Sequence, residues 1–103
     1  MKSILFLLVT VSAFAANARL HSHMGTLTKS GGFTYACTFT NKTDNSLDMK
    51  YVIFSLENRN HRGETQSEEQ TRIDRVVRTG ETLVMKTQVS GFKTATGCRY
   101  IAR

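Results

Sequence analysis

Two cysteines set far apart in the chain, Cys37 and Cys98, constrain the fold more than any other feature. Each lies in a stretch whose hydrophobicity alternates with period two. In Phe33–Thr40, the residues Phe33, Tyr35, Cys37 and Phe39 fall on one face and Thr34, Ala36, Thr38 and Thr40 on the other. In Cys98-Arg99-Tyr100-Ile101-Ala102, Cys98 and Tyr100 share a face. Both cysteines therefore point inward from strands, and neither has a His or a second Cys at metal-ligand spacing. A bond between them clamps the first long strand to the last.

The N-terminus predicts a compartment where such a bond persists. Met1-Lys2-Ser3 supplies a short positive head and Ile4 to Phe14 is an almost unbroken apolar run. Ala13, Ala15, Ala16 and Ala18 then offer small residues for cleavage after Ala15 or after Ala18. Residues 1–18 read as a secretory signal peptide. The apolar run is short of the roughly 20 residues a membrane-spanning helix needs, so no transmembrane segment is expected. Export to the periplasm or the exterior makes the Cys37–Cys98 disulfide the expected state, and closing so long a loop adds about 4 kcal/mol on the chain-entropy model. Such help matters in a chain of 103 residues, which holds one small domain with a modest core.

Further strands follow from the same periodicity. Asn41 to Ser46 is a polar turn leading to Leu47–Leu56, which becomes apolar on both faces from Tyr51 to Phe54, the pattern of a central strand. The runs 33–40 and 47–56 suggest a hairpin. Thr82–Val89 alternates with Leu83, Met85, Thr87 and Val89 on one side, and Gly91 follows it. At least five strands are expected, with Tyr35, Tyr51 and Tyr100 in the core. Residues 19–31 are read as a flexible N-terminal segment and 32–103 as the folded domain.

One segment carries opposed signals. Ser67-Glu68-Glu69-Gln70 matches a helical capping box, Ile73, Val76 and Val77 recur at helical spacing, and Gly80 can end a helix. A short helix over 67–79 competes with a strand, which the β-branched residues from Thr71 to Val77 favour.

The turn at Asn41, the strand end Phe54-Ser55-Leu56-Glu57-Asn58, Gly63 and the turn Thr79-Gly80-Glu81-Thr82 together resemble the FxLYD family of bacterial extracytoplasmic domains. The family motif is an aromatic, any residue, Leu, Tyr, Asp; this chain keeps Phe54 and Leu56 but has Glu57 and Asn58 in the last two places. Thr79 stands where the family usually has Pro before Gly80 and Glu81. The resemblance implies a small immunoglobulin-like antiparallel β-sandwich and brings no catalytic residues.

Charge bears on partners. The chain has 14 Lys and Arg against 8 Asp and Glu, a formal net +6. Arg59, Arg62, Arg72, Arg75 and Arg78 are candidate contacts for a protein or an anionic envelope component. Glu57, Glu64, Glu68, Glu69 and Asp74 are interleaved with them, the pattern of a self-paired surface. Export and the lack of an aromatic stacking stripe argue against nucleic acid. Cleavage after Ala18 would place His21 third from a free amine, a planar four-nitrogen arrangement suited to Cu(II) or Ni(II) with His23 nearby; the alternative is a solvated leader remnant. Asn41-Lys42-Thr43 is a glycosylation sequon or simply a turn. His61, Glu64 and Ser67 read as a solvated loop, and no nucleophile, metal or cofactor motif appears. The expected function is that of an exported, non-enzymatic binding module without a cofactor. The alternatives are a secreted inhibitor acting through Arg59–Gln70 and an N-terminal metal binder.

Overall fold

A computed structural model describes residues 20–60 and 63–103; the leader over 1–18, its cleavage sites, His61 and Arg62 lie outside the described residues. Seven strands follow one another: β1 (His21–Met24), β2 (Thr26–Gly31), β3 (Thr34–Thr40), β4 (Leu47–Asn60), β5 (Gly63–Val77), β6 (Thr82–Gln88) and β7 (Lys93–Ala102). They form two antiparallel sheets, one ordered β1-β7-β4-β5 and the other β2-β3-β6. The protein is a small all-β sandwich.

The core lies between the sheets. Val52, Phe54 and Leu56 of β4 and Ala95, Cys98 and Tyr100 of β7 meet Tyr35 and Cys37 of β3 and Leu83 near the start of β6. The Cys37–Cys98 disulfide joins β3 to β7 with a Cα separation of 6.0 Å, so it staples sheet to sheet, as the inter-sheet bond of immunoglobulin domains does. Beside it the Tyr100 hydroxyl donates to the Cys37 carbonyl at 2.5 Å. Burial of the ring pushes the Tyr100 hydroxyl up to about 12, against a smaller opposing effect of the Met85 backbone. Gly25, between β1 and β2, is the point where the chain changes sheets. Its N–H bonds the Cys98 carbonyl, and a Cβ there would collide with the Cys37 sulfur and press on that of Cys98. The crossing passes so close to the disulfide that it has no room for a side chain.

Three expectations are corrected. Residues 21–31, read as part of a flexible segment, form β1 and β2: β1 pairs with β7 from His21↔Ala102 to Met24↔Arg99, and β2 pairs with β3. Most of their side chains are exposed and polar, with Leu27 and His23 packing inward, which is why an apolar-pattern reading passes over them. The helix over 67–79 does not form; β5 runs through it, with Val77 3% exposed and Val76 63% exposed. A lone helix of about three turns is marginal, whereas the long strand β4 offers a ready ladder. Finally, 33–40 and 47–56 are not a hairpin, because β3 and β4 belong to opposite sheets and the turn at Asn41 carries the chain across.

Asn41 is fully buried and makes that crossing possible. Its Nδ2 donates to the carbonyls of Asn45 and Val77, and its Oδ1 accepts from the Thr43 backbone N–H and hydroxyl. Its own backbone bonds the 78–81 turn through Glu81 and Gly80. The sequon is thus a structural knot whose amide is already engaged.

Candidate interaction surfaces

The four arginines of this group among the described residues, Arg59, Arg72, Arg75 and Arg78, are spread along the β4–β5 ribbon and do not converge. Arg59 pairs through its backbone with Glu64 near the β4–β5 turn, and Arg78 follows the far end of β5, about 45 Å away at the rise of an extended strand. Arg72 donates to Asp74 at 2.7 Å, and its guanidinium carbon lies 5.9 Å from the Tyr51 ring centroid. Lys50 bridges Asp48 and Asp74 at 3.1 and 3.4 Å. The bond from Arg72, helped by Lys50, holds the Asp74 carboxyl below the ordinary carboxylate range, and the acids in turn raise Lys50 and Arg72. Arg75 lines an open depression of about 140 Å³ with Val77, Glu81 and Leu83, well under the roughly 300 Å³ from which ligand pockets begin. The Arg78 N–H is capped by the Glu81 carboxylate. The stretch Arg59–Gln70, expected as a loop, belongs to the ribbon formed by β4 and β5 over its described residues.

The histidines also separate. His23 stacks against Phe39 with ring centroids 5.4 Å apart, and Phe39 continues the contact to Tyr100. His21 is the first residue of β1. The Gly25-to-Cys98 bond fixes the alternation of this ladder, so His23↔Tyr100 and His21↔Ala102 are its hydrogen-bonded pairs. A planar site recruiting the His21 amide would have to open that pair. Among the described residues no three His, Cys, Asp or Glu side chains gather to hold a metal.

A different surface stands out at one end of the sandwich. The β2–β3 turn carries Phe33 at 59% exposure, and the β6–β7 turn carries Phe92 at 75%. The turns are tied together: the Val89 N–H donates to the Phe33 carbonyl at 2.9 Å, and the Phe33 ring lies over Gly91. Lys29 and Lys93 flank the pair, and neither forms an ion pair among the described residues. Because Asn58 pairs with Lys93, the β4–β5 turn ends on the same side. Sequence alternation placed Phe33 inward with Tyr35 and Cys37; the bulge between Lys29 and Gly31 and the glycine turn release it from that face. The available signal was local: Ser30-Gly31-Gly32-Phe33-Thr34 and Ser90-Gly91-Phe92-Lys93-Thr94 both set a phenylalanine directly after a glycine turn.

No protein-family model matches the chain, and neither does any curated protein or solved structure. No helix among the described residues is long and apolar enough to cross a membrane.

Proposed function

We propose that this protein is an exported, non-enzymatic binding module that docks onto an anionic component of the cell envelope through the end bearing Phe33 and Phe92. The observation that carries this reading is the pair of exposed phenylalanines on two interlocked turns, flanked by Lys29 and Lys93. Exposed aromatics are costly in water and inexpensive in a headgroup layer. Burying one phenylalanine contributes about 1.5–3 kcal/mol, and each lysine near an anionic leaflet about 1 kcal/mol. The disulfide supports export, because such bonds are rare in reducing compartments. The resemblance to FxLYD domains enters through the fold alone: the motif positions that are kept, Phe54 and Leu56, are core residues.

The test is flotation with lipid vesicles. The protein should rise with vesicles containing phosphatidylglycerol and much less with phosphatidylcholine alone. Phe33→Ser with Phe92→Ser should weaken binding at least about tenfold, and added salt should weaken the lysine contribution. Equal flotation by wild type and the double variant, or none by wild type, overturns the proposal.

A further inference from the structure

A different surface, independent of the phenylalanine end, points to a partner of another kind. Strand β5 is an outer strand of its sheet and pairs on one side only, with β4. Its charges are largely segregated: Glu64, Glu68 and Glu69 precede Gln70, while Arg72 and Arg75 follow it with a single acid, Asp74, between them at the bulge. A strand with acids in one half and bases in the other complements itself when paired antiparallel about its middle. We infer that β5 is a two-fold homodimer edge, its occupant the β5 strand of a second copy of this chain.

The backbone restricts the register. The β4–β5 ladder runs unbroken from Asn60↔Gly63 to Tyr51↔Arg72. Counting along the unbroken ladder, residues 65, 67, 69 and 71 bond β4, while 64, 66, 68, 70 and 72 turn their N–H and C=O groups to the open edge. The bond from Gly25 to Cys98 gives this alternation when carried through β7 and β4. Two copies can then form a ladder only with the two-fold axis on a residue. An axis on Glu68, Glu69 or Arg72 sets that residue's charge against its own copy, and one on Thr71 opposes Glu68 to Asp74. An axis on Gln70 sets Glu68 opposite Arg72 twice, Glu69 opposite Thr71, and Gln70 opposite itself. An axis on Glu68 also opposes Glu64 to Arg72, and one on Arg72 opposes Glu69 to Arg75, but each keeps a charge against its own copy. Of these registers only the one on Gln70 opposes unlike charges with no like charges face to face. The bulge at Asp74, whose φ is 47°, bounds the length of the pairing, and a two-fold contact uses the same edge of both copies, so it closes as a dimer.

Glu68 and Arg72 already bond Arg99 and Asp74, yet their side chains remain 53% and 62% exposed and can meet a second partner. Like charges directly opposite in a ladder destabilise it, as opposite charges stabilise it.

The experiment is sedimentation of the full exported chain and of two variants, alone and mixed. Wild type should dimerise. Glu68→Arg alone sets Arg against Arg, and Arg72→Glu alone sets Glu against Glu; each should lose at least about tenfold in dimer affinity, 1.4 kcal/mol. An equimolar mixture of the two single variants presents opposite charges at both contacts and should restore the dimer. A folding defect cannot be rescued by mixing, and circular dichroism of each variant checks the fold independently. Wild type that stays monomeric at millimolar concentration, single variants that dimerise like wild type, or a mixture that fails to recover overturns the inference.

Discussion

Asn41 shows how much of this fold one side chain can hold. A buried amide has two donors and an acceptor to satisfy, and here the carbonyls of Asn45 and Val77 and the two donors of Thr43 satisfy them. The Val77 contact ties the end of β5 to the crossing between sheets. Asn41→Ala leaves the Val77 carbonyl without this partner in a buried place, and removes the partner of the Asn45 carbonyl and of the Thr43 N–H, whose bonds are half-buried. It is expected to cost about 2–4 kcal/mol, on the scale of 1–3 kcal/mol for each buried group left unsatisfied. Urea unfolding should show a lower midpoint with an unchanged slope. The turn itself was legible in the sequence, since Asn, Thr, Asp and Ser cluster from Asn41 to Ser46. Its role as a crossing was not, because turn chemistry is the same whether the next strand returns to the same sheet or enters the other.

Strand β5 is where local and tertiary signals part. The capping-box sequence and the spacing of Ile73, Val76 and Val77 are those of a helix, yet the segment completes the ladder of β4 over most of its length. Sequence periodicity cannot register that a neighbouring strand lacks a partner. The accommodation is visible at Asp74, which adopts φ 47° where β5 bulges against Met49 and Tyr51. The left-handed region tolerates Asp and Gly but penalises β-branched residues. Asp74→Gly is therefore expected to leave the melting temperature nearly unchanged, since relief of the backbone offsets the loss of exposed ion pairs to Arg72 and Lys50. Asp74→Val forfeits the ion pairs and clashes with the backbone, and should lower the melting temperature clearly. Thermal melts of the two variants in the same buffer separate these outcomes; equal losses would show that the ion pairs, not the backbone, hold the bulge.

For the whole molecule, the inward-facing alternation around Cys37 and Cys98 pointed to strands joined by a disulfide, while the two-layer sandwich was expected from the family resemblance; the structure has both the staple and the two sheets. The exposed phenylalanines were harder to see: a glycine turn resets the alternation on which such a reading depends. The staple also determines how the molecule should fail. It links residues 61 apart in sequence, so its removal frees a large unfolded loop while leaving both sheets with their own ladders. The chain-entropy estimate is about 4 kcal/mol, set against a typical 5–15 kcal/mol for a domain. Cys37→Ala with Cys98→Ala should accordingly lower the urea midpoint sharply. A larger slope is also expected, because the unfolded chain without the link exposes more surface. Replacing Gly25 by Ala supplies the internal control. Its penalty arises from contact with the two sulfurs, so it should be pronounced in the disulfide-bonded protein and shrink in the Cys37→Ala, Cys98→Ala background. Equal penalties in the two backgrounds would place the constraint on Gly25 in the backbone crossing and not at the disulfide.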